Sequence, residues 1–324
     1  KSGEMYEWAR RTLAGGVASS YQVRDPWPIY ITEGRGSKVW DVDGTERIDY
    51  HNGFGSMVQG HANPCIVEAV QKQVARGTHF AAPVEDGIVV SEELTRRFGL
   101  PQWRYVNSGS EATMDAMRIA RAYTGRDTVM KILGSYHGHH DYAMVCIGVP
   151  YDDLGDREDI QSLPYGAGIP KVVSDMTVAV PFNDAGAMER RIERLAEEGR
   201  LPACVIMEAA MMNLGVILPE PGYLEAVREI TKKYGIVWIV DEVKTGLCIA
   251  AGGATYAIGT PGHSWQLTAQ GKLPAGRYAY RVQAAGRPLG PFIPFAIKAG
   301  EDTFITPILP PQSFIQVFVG DQSG

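Results

Sequence analysis

Gly235-Ile236-Val237-Trp238-Ile239-Val240-Asp241-Glu242-Val243 is the stretch that decides the fold. Five apolar residues, mostly β-branched, stand between a glycine and an acid, which reads as a buried parallel strand. An acid at the carboxyl end of such a strand faces the ligand crevice of an open α/β sheet. A carboxylate there is costly to bury without a cationic partner, and the protonated ring nitrogen of a bound cofactor would be one. The alternative for Asp241 is a helix N-cap, because acids after strands often open the next helix.

Working outward, Ala203-Cys204-Val205-Ile206-Met207 forms a second strand that ends at Glu208, with Asn213 in the loop after it. Pro219-Glu220-Pro221-Gly222 precedes a helix over 223–234 that turns Leu224, Val227 and Ile230 inward and stops at Gly235. This is a βαβ unit, and a right-handed crossover puts Glu208 and Asp241 at one edge of the sheet. Further upstream, 103–106 reads as a short strand ended by Asn107-Ser108-Gly109-Ser110. A helix over 111–123 follows, with Ala112, Ala116, Met117 and Ala120 on one face and Gly125 as its stop. A strand, then small hydrogen-bonding residues, then a helix start is the recipe for an anion site. An ordinary Ser cap is the alternative there.

The strand at 128–133 leads into Gly134-Ser135-Tyr136-His137-Gly138-His139-His140-Asp141. Adjacent histidines diverge, which argues against a metal site, whereas an aromatic ring and an imidazole after a strand can lie against a planar cofactor. Solvated loop histidines are the remaining alternative. Near the start of the chain, 28–31 and 38–42 read as strands, with Asp43-Gly44 as a hairpin turn.

The organisation expected is a segment over 1–60, an α/β domain over 61–255 and a tail over 256–324. A formal charge of −6 argues against a general nucleic-acid or membrane-surface binder. No apolar run approaches a membrane span, and the first residues do not read as a signal peptide. Cys65, Cys146, Cys204 and Cys248 are scattered, which predicts buried free thiols and a cytoplasmic protein. A nucleotide-binding Rossmann protein is disfavoured, since no Gly-x-Gly-x-x-Gly follows an early strand.

Val106-Asn107-Ser108-Gly109-Ser110-Glu111-Ala112, Tyr136-His137-Gly138-His139, Glu208 with Asn213, and Asp241-Glu242-Val243 with Thr245-Gly246 occur in that order. Together with Gly15-Gly16-Val17 and Gly60-His61-Ala62-Asn63-Pro64, they resemble the class III aminotransferases of pyridoxal-phosphate fold type I. The nearest subgroup is glutamate-1-semialdehyde aminomutase with the β-amino-acid and amine transaminases. The resemblance covers about residues 5–255. It implies an α/β fold, a mostly parallel sheet with helices on both faces, and pyridoxal 5'-phosphate as cofactor. It further implies a homodimer acting on amines or amino acids and keto acids or aldehydes. By the same resemblance Ser108, Gly109 and Ser110 hold the cofactor phosphate, and Tyr136, with His137 beside it, stacks on the ring. Asp241 pairs with the ring nitrogen, and Val243 packs on the opposite face. Glu208 and Asn213 line the phenolic-oxygen side. Arg24 matches an arginine that grips a substrate carboxylate, with an exposed loop arginine as its alternative.

The resemblance fades after Gly252-Gly253-Ala254-Thr255. The family requires a lysine that forms a Schiff base with the cofactor, and Lys272, before Leu273-Pro274, is the remnant of that segment. The glycine run between the lysine and Leu-Pro is missing. Lys244 follows the strand ending at Val240 too closely to substitute. The tail holds 8 Pro and 9 Gly in 69 residues, a density that breaks helices and central strands. One hypothesis is a partly frame-shifted translation, because a one-base shift can restore three family-like fragments in order. The alternative is a truncated and diverged homologue, and sequencing the coding DNA decides between them. A catalytically inert cofactor- or partner-binding remnant stands as the reading from another class.

Overall fold

The computed structural model describes residues 1–246. Beyond them it describes only the strands Ala254–Tyr256, Leu267–Ala269, Gly276–Ala284, Ile293–Ile297 and Ser313–Phe318. Two compact units divide at residues 89 and 90. In the first, α1 is Ser2–Ala9, and an antiparallel sheet runs β1 (Ile31–Arg35), β2 (Lys38–Asp41), β3 (Glu46–Ile48). The hairpin expected at Asp43-Gly44 is present: Gly44 has φ +85° and its N–H donates to the Asp41 carbonyl at 2.9 Å. Helix α2 (Pro64–Val74) follows, and the division falls within α3 (Glu85–Phe98), most of which belongs to the second unit. Cys65, expected to be buried, lies exposed on α2, whereas Cys146 and Cys204 are buried.

The second unit carries α4 (Gly109–Thr124), β4 (Val129–Ile132), the short β5 (Gly155–Asp156) and β6 (Asp159–Ile160), and α5 (Lys171–Ser174). After them come β7 (Thr177–Val180), α6 (Ala185–Glu197), β8 (Cys204–Met207), α7 (Tyr223–Lys233) and β9 (Val237–Val240). Strands β7-β4-β8-β9 form a sheet in that order, and every pairing is parallel. Alternation along the strands sends side chains to two cores. Met130, Ile132, Val178, Val180, Val205 and Met207 meet Met188, Ile192 and Leu195 of α6 and Val227 and Ile230 of α7. Val129, Cys204 and Ile206 meet Met117 and Ala120 of α4 on the other face. The α/β layer arrangement expected from the sequence is therefore observed, with helices on both faces.

Three local readings are corrected. Residues 103–106 form no strand, because they pack back on α3 instead of joining the sheet. The Trp103 indole N–H donates to Thr95 Oγ1 at 2.9 Å, and its ring meets Phe98 edge-on at 5.7 Å. The buried face of α4 is Thr113, Met117 and Ala120, while Ala112 is exposed. Met117 and Ala120 of the expected face are buried, whereas Thr113 takes the inward place expected for Ala112 because its hydroxyl finds hydrogen-bond partners inside. Strand β9 is only half-buried, and Val240 is exposed, because β9 is the last strand of this sheet among the described residues.

Candidate active site

The sheet register explains how two acids meet. Met207 pairs with Val240, so Glu208 and Asp241 leave β8 and β9 side by side at the carboxyl edge. The Asp241 N–H donates to the Met207 carbonyl at 2.8 Å, which extends the ladder to the acid itself. The chain passes from β4 outward to β7 and then back across β4 to β8, so the sheet has its switch point there. Loops leaving a sheet in opposite directions open a crevice at that point.

Asp241 is buried and held at both oxygens. Oδ1 accepts from the Val243 N–H at 2.9 Å, and Oδ2 lies 2.7 Å from His137 Nδ1. A carboxylate only accepts, so Nδ1 carries the proton in that pair. Burial lowers the His137 pKa against the pull of Asp241, which leaves the ring neutral and its Nε2 bare. That Nε2 is buried and has no partner among the described residues. Each Asp241 oxygen has one of these partners, so its remaining lone pairs can receive another donor.

The α4 N-terminus is tied to the same place. Gly109 abuts the Val243 side chain, whose methyl groups would stand 2.9 Å from a Cβ at that position. Ser110 Oγ accepts from the His139 N–H at 2.9 Å, which leaves its own O–H free to donate. Ser108 takes the capping role, its Oγ accepting from the Glu111 N–H at 3.2 Å, while Glu111 Oε2 accepts from the Asn107 N–H at 2.6 Å. The first N–H groups of the helix, at Gly109 and Ser110, have no carbonyl in the preceding turn and so present donors and the positive dipole end.

Glu208 is 3% exposed, and its Oε2 accepts from the Met212 N–H at 3.2 Å. Burial, reinforced by the neighbouring Asp241 charge, pushes its carboxyl up to about 7. Asn213 accepts from the Lys244 ammonium at 3.3 Å, so Lys244, set aside in the sequence reading, reaches toward this edge. Tyr136 is partly exposed on the loop after β4, and Val243 is exposed. Arg24 belongs to the other unit and is exposed. Its Nη1 donates to the Tyr21 and Val23 carbonyls at 2.8 and 2.6 Å, and its guanidinium lies 5.4 Å from the Tyr21 ring centre. Lys272 lies outside the described residues. Among the described residues, no group of three or more His, Cys, Asp or Glu could hold a metal ion.

The sequence reading missed Gly138, Thr113 and Lys131. Gly138 has φ +105°, and a Cβ there would stand 2.7 Å from Ser110 Cα, so this loop and the α4 N-terminus touch backbone to backbone. Thr113 Oγ1 donates to the His137 carbonyl at 2.5 Å and pins the same loop. Sequence signals existed for two of them: a glycine between two histidines, and a lysine inside an apolar strand. Gly138→Ala is expected to cost about 1–3 kcal/mol in chemical denaturation, since strain and a backbone clash combine. Gly109→Ala should lie within ~1 kcal/mol of the parent, because only the side-chain ends of the exposed Val243 oppose it and alanine favours a helix. Equal costs at the two positions would contradict this geometry.

An acid at the end of a central-sheet strand, a helix N-terminus and an aromatic loop thus converge, and the comparisons agree with that arrangement. The family model "Aminotransferase class-III" matches residues 20–287. The chain belongs to the class-III aminotransferase family. The family match continues past Thr255, where the quoted motifs end, and takes in Lys272. Glutamate-1-semialdehyde 2,1-aminomutase of Syntrophus aciditrophicus (strain SB) is 40% identical over 256 residues, 78% of this chain and 57% of that protein. Glutamate-1-semialdehyde 2,1-aminomutase 1 of Bacillus cereus (strain G9842) is 36% identical, covering 98% of this chain and 75% of that protein. Among solved structures, an omega-transaminase from Sphaerobacter thermophilus is 41% identical with a TM-score of 0.70, covering 74% of this chain and 54% of that one. A glutamate-1-semialdehyde-aminomutase from Pseudomonas aeruginosa PAO1 is 30% identical with a TM-score of 0.64, covering 74% and 51%. The fold is that of these transaminases. The chain spans a little over half the length of several curated relatives it matches.

Proposed function

We propose that this chain is a pyridoxal-phosphate-dependent aminotransferase. It moves an amino group between an amine or amino acid, a β-amino acid included, and a keto acid or aldehyde. The observation that carries the reading is the buried Asp241 carboxylate, held on two sides yet still able to accept, at the sheet edge where α4 begins. A solved transaminase with PLP bound, 33% identical with a TM-score of 0.68, supports the choice of cofactor.

The residues present fit that group. Gly109 and Ser110 would hold the phosphate through N–H groups and the free hydroxyl proton, with Ser108 setting the helix cap. Asp241 would keep a proton on the ring nitrogen. Tyr136 would stack on one ring face and Val243 pack on the other. Glu208, protonated near neutral pH, can donate a hydrogen bond toward the phenolic oxygen, with Asn213 beside it. His137 fixes the Asp241 carboxylate and adds no positive charge of its own. Arg24 is assigned to the substrate carboxylate, as a planar bidentate donor. The Nζ of Lys272 is assigned to carry the proton between the substrate carbon and the cofactor carbon. When bound, pyridoxal phosphate supplies the carbonyl that accepts the amine and an electron-withdrawing ring.

Among the described residues no helix is long and apolar enough to cross a membrane. A homodimer in the cytoplasm, with small-molecule substrates and no nucleic acid, completes the proposal. A second reading, an aminomutase that moves the amine within one molecule, is favoured by the names of the relatives at about 40% identity.

The test is titration of purified protein with pyridoxal phosphate, followed by borohydride reduction and mass spectrometry. The expected result is a near-ultraviolet or visible band with a pyridoxyl label on Lys272, at low occupancy because the positioning glycines are missing. Reversible binding with no labelled lysine would overturn the enzyme reading in favour of an inert scaffold. A label on Lys244 would move the covalent role to that residue.

A further inference from the structure

Lys131 sits in β4 between Met130 and Ile132 and is 0% exposed. An ammonium in such a position is costly unless every proton is used. All three are: Nζ donates to the carbonyls of Ser135 at 2.7 Å, Ala143 at 3.0 Å and Val145 at 2.8 Å. Three N–H groups meet three acceptors, and among the described residues those acceptors are carbonyl dipoles, with no carboxylate among them. Ser135 opens the loop over 134–146, and Ala143 and Val145 close it. Tyr136, His137 and His139 lie between them. A methionine or leucine would fill the same volume, but it would leave three buried carbonyls without donors.

We propose that Lys131 is a positioning residue for the site. Its ammonium clamps both ends of the 134–146 loop, so that Tyr136 and His137 are presented at the carboxyl edge of the sheet and His137 is held in register with Asp241. This deepens the function proposed above and rests on it, since those side chains are the ones assigned to the cofactor. A second effect runs the same way. The Lys131 charge disfavours a proton on His137 and on His140, which helps keep the ring beside Asp241 neutral. The titratable groups that face Lys131 are the Cys146 thiol and these two imidazoles. Burial brings Lys131 itself down to about 7. A neutral amine has two N–H groups, so deprotonation leaves one of the three carbonyls without its donor.

The test uses the full chain without cofactor. Lys131→Met and Lys131→Arg are compared with the parent by far-ultraviolet circular dichroism, by hydrogen–deuterium exchange, and by the His137 Nδ1 proton signal, assigned with His137→Asn. In a folded Lys131→Met, peptides covering 134–146 should exchange about tenfold faster, the effect of losing hydrogen bonds to a charged group, while the rest is unchanged. The low-field His137 signal should broaden or vanish, and Lys131→Arg should recover part of both. Parent-like exchange and an unchanged His137 signal in a folded Lys131→Met would overturn the proposal. If that variant does not fold, the parent is titrated from about pH 6 to about pH 8.5 across the range where Lys131 loses its proton. Loop protection falling faster than base catalysis alone requires supports the clamp, and protection that follows the intrinsic trend sinks it. Pyridoxal-phosphate binding is measured separately. A parent that binds no cofactor but shows the loop and His137 responses refutes the function and leaves the clamp standing.

Discussion

Asp241→Asn should lower amino-group transfer by about 10²–10³-fold in single turnover, while cofactor affinity falls far less. Asparagine keeps an acceptor for the Val243 N–H or for His137 Nδ1, so the loop after β9 retains its shape. What disappears is the negative charge proposed to keep a ring nitrogen protonated, and no neighbour replaces it, because Glu208 is held toward its neutral form and His137 is neutral. The phosphate contacts proposed for Gly109 and Ser110 would be untouched. Binding and turnover should therefore separate, which a general loss of folding would not produce. Equal single-turnover rates in parent and variant would remove Asp241 from the role assigned to it.

Glu208→Gln should stabilise the chain at alkaline pH. The folded carboxyl is raised from 4.5 to about 7, chiefly by burial. Between those values the folded state binds more protons than the unfolded one, so stability falls as pH rises through the window and the loss is complete above it. Glutamine is neutral throughout and its amide oxygen can still accept from the Met212 N–H. At about pH 8 the variant should exceed the parent by ~2–3 kcal/mol, and near pH 4 the two should coincide. Denaturant unfolding across that range measures it, and a difference independent of pH would show that burial does not hold Glu208 neutral. The same variant retains an amide N–H as a donor, so cofactor binding should survive.

Much of the frame was legible because it depends on near neighbours in the chain. The apolar runs at 204–207 and 237–240 pair as expected, with Glu208 and Asp241 following them in register. Ser108 and Gly125 bound α4 through capping chemistry that two or three residues are enough to specify. Of the alternatives open for the Asn107-Ser108-Gly109-Ser110 turn, cap and anion site turned out to be compatible: Ser108 caps while Ser110 and Gly109 stay available. The strand expected at 103–106 failed because β-like composition does not supply a neighbour to pair with, and Trp103 found Thr95 and Phe98 instead.

By itself, then, the sequence determined the α/β layering, the strand ends that carry the two acids, and the helix start that can face an anion, since hydrophobic periodicity and capping act over a few residues. Only the tertiary structure decided which groups meet. His137 and Asp241 are 104 residues apart. Gly138 lies against both the backbone and the side chain of Ser110, where a Cβ would not fit. Lys131 collects carbonyls 4, 12 and 14 residues downstream, which converge only once the loop has closed. Burial did the rest: it keeps His137 neutral, pushes Glu208 toward its protonated form, and turns a lysine that looks misplaced in an apolar strand into the donor for three carbonyls that water cannot reach.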